Sequence, residues 1–274
     1  MFRTKTVVYC SVDPFLSPRG KFLHGFEGFQ TELDEREIPC VWLSSRSRLQ
    51  LDDPRRRAGH TEPFIAEDGC AAYLPEDYFH LKPTKTVRLG RFTTIPVAQQ
   101  LPAAAEALES LGEESGVPVV PLRSLSPREL SQNIGLPTHE AEVGRQRDFD
   151  ELFFFAGASD ADIARFCSLA LAKNMSLREH GVVWSLALGA DFRRCIRAVG
   201  DLFDRSFHNH VNRFAIAPPA DSASIFPACD RGIRLLGFTK DLSAVSSAAP
   251  RFSDVAITAP DLWQIALSAL DSRP

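Results

Sequence analysis

A carboxylate follows the first apolar run of the chain. The run at residues 6–10, TVVYC, has the β-branched and aromatic composition of a buried strand, and it leads into SVDPFL at residues 11–16. A strand that ends in a carboxylate beside a sharp turn is a common place for catalysis in an open α/β sheet. Asp13 is therefore a candidate acid or base, although a residue before Pro14 can equally serve only to start the turn.

Hydroxyl and guanidinium groups at two later positions could bind an anion. Ser44, Ser45 and Arg46 follow the apolar run CVWL, where they either hold a phosphate or cap the next segment. Arg193 and Arg194 open a predicted helix, where cations oppose the helix dipole, and this placement is consistent with an anion nearby. The residue types thus indicate polar strand ends without deciding what they bind.

Metal-binding residue types are present but scattered. His208 and His210 are two positions apart, which on a strand would put both rings on one side, where they could bind a transition metal. No third ligand accompanies them in the sequence, so a surface turn is the interpretation we favour. The six cysteines form no C-x-x-C pair and most stand in apolar stretches, which predicts small core residues rather than a zinc site or a disulfide framework.

Alternating strand and helix patterns must position these residues. The first 80 residues alternate between the two patterns, which is typical of a parallel sheet covered by helices. The middle of the chain has longer helices, with Ser126 and Ser159 as N-caps, before the alternation returns. We predict an α/β fold with a doubly wound, Rossmann-like core at residues 1–82 and 191–274, and an inserted α+β cap domain at residues 83–190. Such a cap closes over a site at the carboxyl ends of the strands.

The composition limits the class of protein. The chain has 274 residues, of which 44% are hydrophobic and 24% charged, with a net charge of −4, so it offers no general surface for nucleic acid. No run approaches the roughly 18 apolar residues that cross a bilayer, and the first apolar stretch is too short for a signal peptide. We expect a cytoplasmic protein without a nucleic-acid or membrane partner.

The architecture and several motifs resemble one family. An α/β core with an inserted cap is similar to the haloacid dehalogenase (HAD) superfamily of phosphatases. The stretch LSPRELSQNIGLPTHEAEVGRQRDFDELFFF resembles the cap of mannosyl-3-phosphoglycerate phosphatases, with RDFDELF at residues 147–153 in place of their REYDEPF-like signature. IPCVWLSSRS, EPFIAEDGCAAYLP and the closing DLWQIALSAL also follow that branch in order, so the resemblance extends over nearly the whole chain.

The resemblance implies a chemistry whose first two groups lie in SVDPFL. These phosphatases use an aspartate nucleophile in the pattern D-x-D-G-T, a second aspartate as acid and base, and Mg²⁺ to neutralise charge. Against that pattern, Ser11 stands at the nucleophile position, and Asp13 is kept at the acid/base position. Pro14 and Phe15 replace the Gly-Thr of the turn, where glycine lets the backbone approach phosphate.

Other positions implied by the resemblance have also changed. Ser44 or Ser45 remains as the phosphate-binding hydroxyl. The family's lysine position is Phe192, with Arg193 beside it. APPADS at residues 217–222 stands where the family has its metal-binding loop, so Pro218 and Ser222 replace two aspartates, and Asp221 lies one residue out of register.

The cap shows one change and one open question. Val182 stands at the position of the family's substrate-binding arginine. Arg147 either faces the cleft between cap and core, as a substrate-facing residue, or joins Asp148, Asp150 and Glu151 in a structural salt network.

Together these changes predict a pseudo-phosphatase with a binding, regulatory or assembly role. Each lost electrostatic contact in such a site is worth on the order of a hundredfold in rate. No cofactor is expected, and the partner would be a small phosphorylated ligand or a protein. The alternative is an active phosphatase on a sugar phosphate or phosphoglycerate derivative, with Mg²⁺ held weakly by Asp13 and Asp221 in a rearranged site. A third interpretation keeps Asp13 as an acid or base in the same cleft without magnesium.

Overall fold

The computed structural model describes residues 5–81, 83–237 and 251–272. Within these ranges the strands, numbered along the chain, are β1 (Thr6–Ser11), β2 (Cys40–Leu43), β3 (Phe64–Ala66), β4 (Ala71–Pro75), β5 (Val87–Leu89), β6 (Phe92–Pro96), β7 (Val119–Pro121), β8 (Glu151–Phe155), β9 (Ser176–His180), β10 (Val183–Ala187), β11 (Asn212–Ala217), β12 (Arg231–Leu236) and β13 (Phe252–Ala256).

Three of the helices in the described ranges begin at a serine cap. Ser47, Ser126 and Ser159 each form a capping box, in which the serine hydroxyl accepts an N–H of the first turn and a side chain of that turn accepts the serine N–H. The helices are α1 (Phe26–Glu35), α2 (Arg48–Arg57), α3 (Leu101–Ser115), α4 (Pro127–Ile134), α5 (Thr138–Gly144), α6 (Asp160–Ala172), α7 (Phe192–Ser206), α8 (Pro219–Ile225) and α9 (Leu262–Asp271).

The larger of two sheets forms the core. Its order is β13-β12-β11-β1-β2-β3-β4-β6-β5, and the six strands from β13 to β3 run parallel. The order reverses between β1 and β11, so the carboxyl ends of these two strands flank the crevice where open α/β sheets bind ligands. The predicted α/β fold with a doubly wound, parallel core is confirmed.

Apolar side chains fill both faces of this sheet. On one face Phe26, Phe29 and Trp42 belong to a cluster that α1 and α9 cover, and on the other Phe192 and Ile196 pack from α7. Burial of large aromatic and aliphatic groups on two sides stabilises the central strands, because each such side chain contributes about 1.5–3 kcal/mol. Ser11 and the residues after it therefore leave a rigid strand.

The smaller sheet has the order β7-β8-β10-β9 and is antiparallel. α3 and α6 cover one of its faces through Leu108, Phe166 and their neighbours. This α+β unit corresponds to the predicted cap.

The predicted start of the cap at residue 83 differs from the pairing of the strands. β5 and β6 form a hairpin that pairs with β4, so residues 87–96 extend the large sheet. Phe92 packs edge-on against Phe64 and Tyr73 of the core, and this contact explains why the hairpin joins the core. The division into core and cap stays a prediction, with this hairpin moved to the core side.

Two further expectations from the sequence concern the cysteines and membrane-spanning helices. Cys10, Cys40, Cys70 and Cys195 are buried as predicted for small core residues. Among the described residues, no helix combines the length and the apolar content needed to cross a bilayer.

Candidate functional site

Ser11 ends β1 at the crevice between β1 and β11. Its side chain is 3% exposed, and its Oγ has no hydrogen-bond partner among the described residues. The register Ser11–Leu43 and the bond from the Val12 N–H to the Leu43 carbonyl bring the end of β2 directly beside it. No base among the described residues is hydrogen-bonded to this hydroxyl to take its proton.

Asp13 turns its carboxylate toward the residues that follow β2. The Ser44 hydroxyl donates to Oδ1 at 2.5 Å, and the Ser45 N–H donates to Oδ2 at 2.6 Å. The Arg46 Nε lies 3.4 Å from Oδ1. The predicted acid/base and phosphate-binding residues are therefore adjacent, and they bind one another.

Asp221 lies in the first turn of α8 and faces the cap. Its Oδ1 forms a 3.0 Å ion pair with Arg178 Nη1 of β9. The pKa of Asp221 is raised to about 6, chiefly by burial and to a lesser extent by the carboxylates of Asp68 and Asp13, against the opposing charge of Arg178. The direct partner of Asp221 is therefore an arginine of the cap.

Arg147 is buried at the junction of cap and core. Its guanidinium forms a two-pronged ion pair with Asp150, at 2.5 and 2.6 Å, and its Nη2 also donates to the Ser45 carbonyl at 2.8 Å. The side chain is only 4% exposed. The structural interpretation of this arginine is favoured over a substrate-facing one, since its donors are directed at the protein.

Glu67 and Asp148 add a second set of contacts at the same junction. The buried Glu67 carboxylate accepts the N–H groups of Asp148, Phe149 and Asp150. Burial and then the nearby Asp150 raise the pKa of Glu67. Asp148 in turn accepts from Arg48 Nε and from the Tyr73 hydroxyl, each at 3.0 Å. The RDFD stretch therefore binds the core through backbone and side chains alike.

His180 of β9 forms a third contact between cap and core. Its Nε2 lies 3.0 Å from Asp68 Oδ2 and 3.1 Å from Ser185 Oγ. Burial lowers the pKa of His180, but the hydrogen bond and charge of Asp68 outweigh that effect and raise it. Both partners face the same ring nitrogen, so the three residues do not form the relay of a serine hydrolase, which needs one partner on each nitrogen.

A cavity of about 350 Å³ lies between β9, β10 and the start of α7. We call it the cap–core cavity. Polar residues in its lining include Asp68, Asp150, Ser176, Arg178, Ser185 and Asp191. Asp13 and Asp221 are not among its lining residues, so the two predicted metal ligands do not share this space.

Comparisons with known proteins agree on one fold. A phosphatase of the haloalkanoate (HAD) superfamily from Bacteroides thetaiotaomicron superposes with a TM-score of 0.64 at 16% identity, covering 97% of this chain and 95% of that one. A HAD subclass IIB sugar phosphatase gives a TM-score of 0.61 at 12% identity, covering 97% and 98%.

The chain has the haloacid dehalogenase fold.

Curated relatives lie within the branch that the motifs predicted. The glucosyl-3-phosphoglycerate/mannosyl-3-phosphoglycerate phosphatase of Methanococcoides burtonii is 23% identical over 175 residues, which span 64% of each chain. The mannosyl-3-phosphoglycerate phosphatase of Pyrococcus furiosus is 25% identical over 123 residues, or 45% of this chain and 50% of that one. No protein-family model matches the chain. The predicted resemblance to the HAD superfamily and to this branch is confirmed.

The residues at the lysine and metal-loop positions of the HAD pattern make local structural contacts. Phe192 is buried in the core, and the Arg193 side chain forms no ion pair with a described residue. Asp191 caps α7 by accepting the Arg193 and Arg194 N–H groups. Pro218 precedes α8, and the Ser222 hydroxyl donates to the Pro219 carbonyl. No phosphate-binding role for Arg193 is visible in these contacts, and that role stays a prediction.

The donor set does not fit a magnesium ion. Among the residues that the structure describes, no group of three or more His, Cys, Asp or Glu is placed to hold a metal. Both Asp13 oxygens already accept protein donors, and Asp221 is paired with Arg178. Mg²⁺ needs carboxylate oxygens in near-octahedral geometry. His208 and His210 belong to no such group among the described residues, and His210 is exposed and pairs with Asp204.

Residues that sequence reasoning missed lie on β9. Arg178 and His180 both contact the core, and their spacing of two places them on one side of the strand. The stretch SLREH alternates in this way, but the strand was not predicted. That alternation of charge is the signal that could have identified these contacts.

Proposed function

We propose that this HAD-fold chain is a pseudo-phosphatase with a binding, regulatory or assembly role. The observation that carries the proposal is the buried, unpartnered hydroxyl of Ser11 at the nucleophile position. A serine hydroxyl attacks phosphorus poorly at neutral pH unless a base takes its proton, and no described residue bonds to it.

The metal donors support the same proposal. Phosphoryl transfer depends on positioning and on neutralisation of the charge that develops on the phosphoryl oxygens. Ser11, Pro218 and Ser222 bring no carboxylate to this site. A small phosphorylated ligand or a protein remains the proposed partner, and the cap–core cavity is large enough for a small ligand.

An active phosphatase is the alternative. One observation favours this alternative. Asp13 is one of the groups that raise the pKa of Asp221, so the two carboxylates lie in the same region. Recruitment of both to a metal would require Asp221 to leave Arg178 and Asp13 to leave Ser44. The named activities of the relatives make their substrates the appropriate probes.

Phosphate release with Mg²⁺ tests the proposal. We expect the wild-type chain to give no turnover above the buffer on p-nitrophenyl phosphate, glucosyl-3-phosphoglycerate or mannosyl-3-phosphoglycerate. The Pyrococcus furiosus relative, assayed under the same conditions, is the positive control. Magnesium-dependent turnover that disappears in Asp13→Ala would contradict the proposal and support the alternative.

A further inference from the structure

Three donors converge at the start of the segment after β2. They are the Ser44 hydroxyl, the Ser45 N–H and the Arg46 guanidinium. We call the space that these three donors face the oxyanion pocket. A hydroxyl, a backbone N–H and a guanidinium are groups that bind oxyanions well, because each donates a hydrogen bond and the last carries a charge.

The donors are held in place independently of what they bind. Ser44 is 2% exposed, and its Oγ accepts the Arg46 N–H at 3.0 Å, which directs its own proton elsewhere. The Arg46 Nη2 donates to the carbonyls of Leu16 and Ser17 at 3.1 and 2.8 Å. Because these contacts orient the pocket in advance, an anion that enters it meets little reorganisation cost.

We propose that the Asp13 carboxylate is an internal occupant of the oxyanion pocket and closes it to free phosphate. Its Oδ1 takes the Ser44 proton, its Oδ2 takes the Ser45 N–H, and the Arg46 Nε lies 3.4 Å from Oδ1. One carboxylate thus meets all three donors. A phosphate in the same place would meet a like charge and would have to displace it.

This inference goes beyond the proposed function. Loss of the nucleophile concerns the bond that would form to phosphorus, whereas occupation of the pocket concerns whether an anion can enter at all. A chain without turnover could still bind phosphate with Ser44, Ser45 and Arg46. The two statements therefore fail separately, the first in a hydrolysis assay and the second in a binding assay.

Calorimetric titration with inorganic phosphate tests the occupation. We expect Asp13→Ala to bind phosphate at least about tenfold more tightly than the wild-type chain. The substitution removes the competing negative charge and frees the three donors for phosphate. Asp53→Ala is the matched control, since it removes the same charge from an exposed carboxylate that pairs with Arg56 and Arg57 on α2. Asp13→Ala combined with Ser44→Ala should lose the gain.

Equal phosphate affinity in Asp13→Ala and Asp53→Ala would overturn the proposal. Asp13→Asn, which removes the charge and keeps the shape, replaces the alanine variant if that chain does not fold. A second test uses only the wild-type chain. The NMR signal of the Ser45 amide should not move when phosphate is added. A saturable phosphate-dependent shift of that signal would show an open pocket and would also overturn the proposal.

Discussion

At the scale of single residues, the ion pair of His180 and Asp68 should respond to pH. Asp68 is 9% exposed on its side chain and His180 is 28% exposed, so water screens the pair only partly. The carboxylate raises the pKa of His180 above the ordinary value of 6.5 even though burial opposes it. The folded chain therefore binds a proton on this ring more readily than the unfolded chain does.

The sign of the pH dependence follows from that difference. A histidine whose pKa is raised by folding contributes stability below its unfolded pKa and loses it as pH rises through the folded value. We expect His180→Gln to lower the free energy of unfolding by about 1 kcal/mol near pH 6, and by less as pH approaches about 9. Denaturant unfolding across this range measures the difference.

His210→Gln is the control for that series, because His210 also pairs with an aspartate but is 63% exposed. It should change the free energy of unfolding by under about 0.5 kcal/mol at every pH. A His180→Gln effect that stays constant from about pH 6 to about pH 9 would contradict the ion pair with Asp68.

At the scale of elements, the turn between β3 and β4 connects the core to three neighbours. Glu67, Asp68 and Gly69 have φ values of 53°, 55° and 88°, a run of left-handed conformations. Through it Glu67 accepts the amides of the RDFD stretch, Asp68 meets His180, and the Gly69 carbonyl accepts the Asp191 N–H at the start of α7. One tight turn thus positions both the cap and α7.

Gly69 is the residue of this turn that admits no side chain. A Cβ there would lie 2.4 Å from the Phe192 backbone nitrogen, which cannot move without shifting α7. We expect Gly69→Ala to lower the free energy of unfolding by about 2–4 kcal/mol, since overpacking adds to the cost of a left-handed conformation.

Gly59→Ala is the matched comparison for Gly69→Ala. Gly59 has a φ of +64°, but a Cβ there would meet nothing within 4 Å. Only the conformational cost of about 1 kcal/mol should remain. Equal losses in the two variants, measured by denaturant unfolding, would mean that contact with α7 does not govern this turn.

At the scale of the whole molecule, the cap is bound to the core at several separate points. Arg147, Asp148, Arg178 and His180 each reach a core residue, and they come from two different segments of the cap. The cap–core cavity lies among these contacts. Separation of the cap from the core would have to break these contacts.

The sequence predicted what depends on local pattern. The run at residues 6–10, the caps at Ser126 and Ser159, and the alternation of strand and helix lead to the doubly wound core. Strands β6, β7, β9, β12 and β13 were not predicted, because they are short or only half apolar and depend on their neighbours in the sheets.

The candidate site shows the same division. The sequence places Ser11, Asp13 and Ser44 at strand ends, and the resemblance assigns their positions. The hydrogen-bond partner of each side chain depends on which distant residues the fold brings close, such as Ser44 to Asp13 and the Ser45 carbonyl to Arg147. Residue type and spacing in the sequence do not determine these partners.

The pseudo-phosphatase that we propose carries out no magnesium-dependent phosphoryl transfer on any substrate. A probe that needs no substrate tests this most directly: calorimetric titration with fluoroberyllate in the presence of Mg²⁺, since fluoroberyllate bound to an aspartate carboxylate mimics a phosphorylated aspartate. The Pyrococcus furiosus relative serves as the positive control. With Ser11 at the nucleophile position and no group of metal ligands among the described residues, we predict no saturable binding. Stoichiometric, magnesium-dependent binding of fluoroberyllate to the wild-type chain would contradict the account.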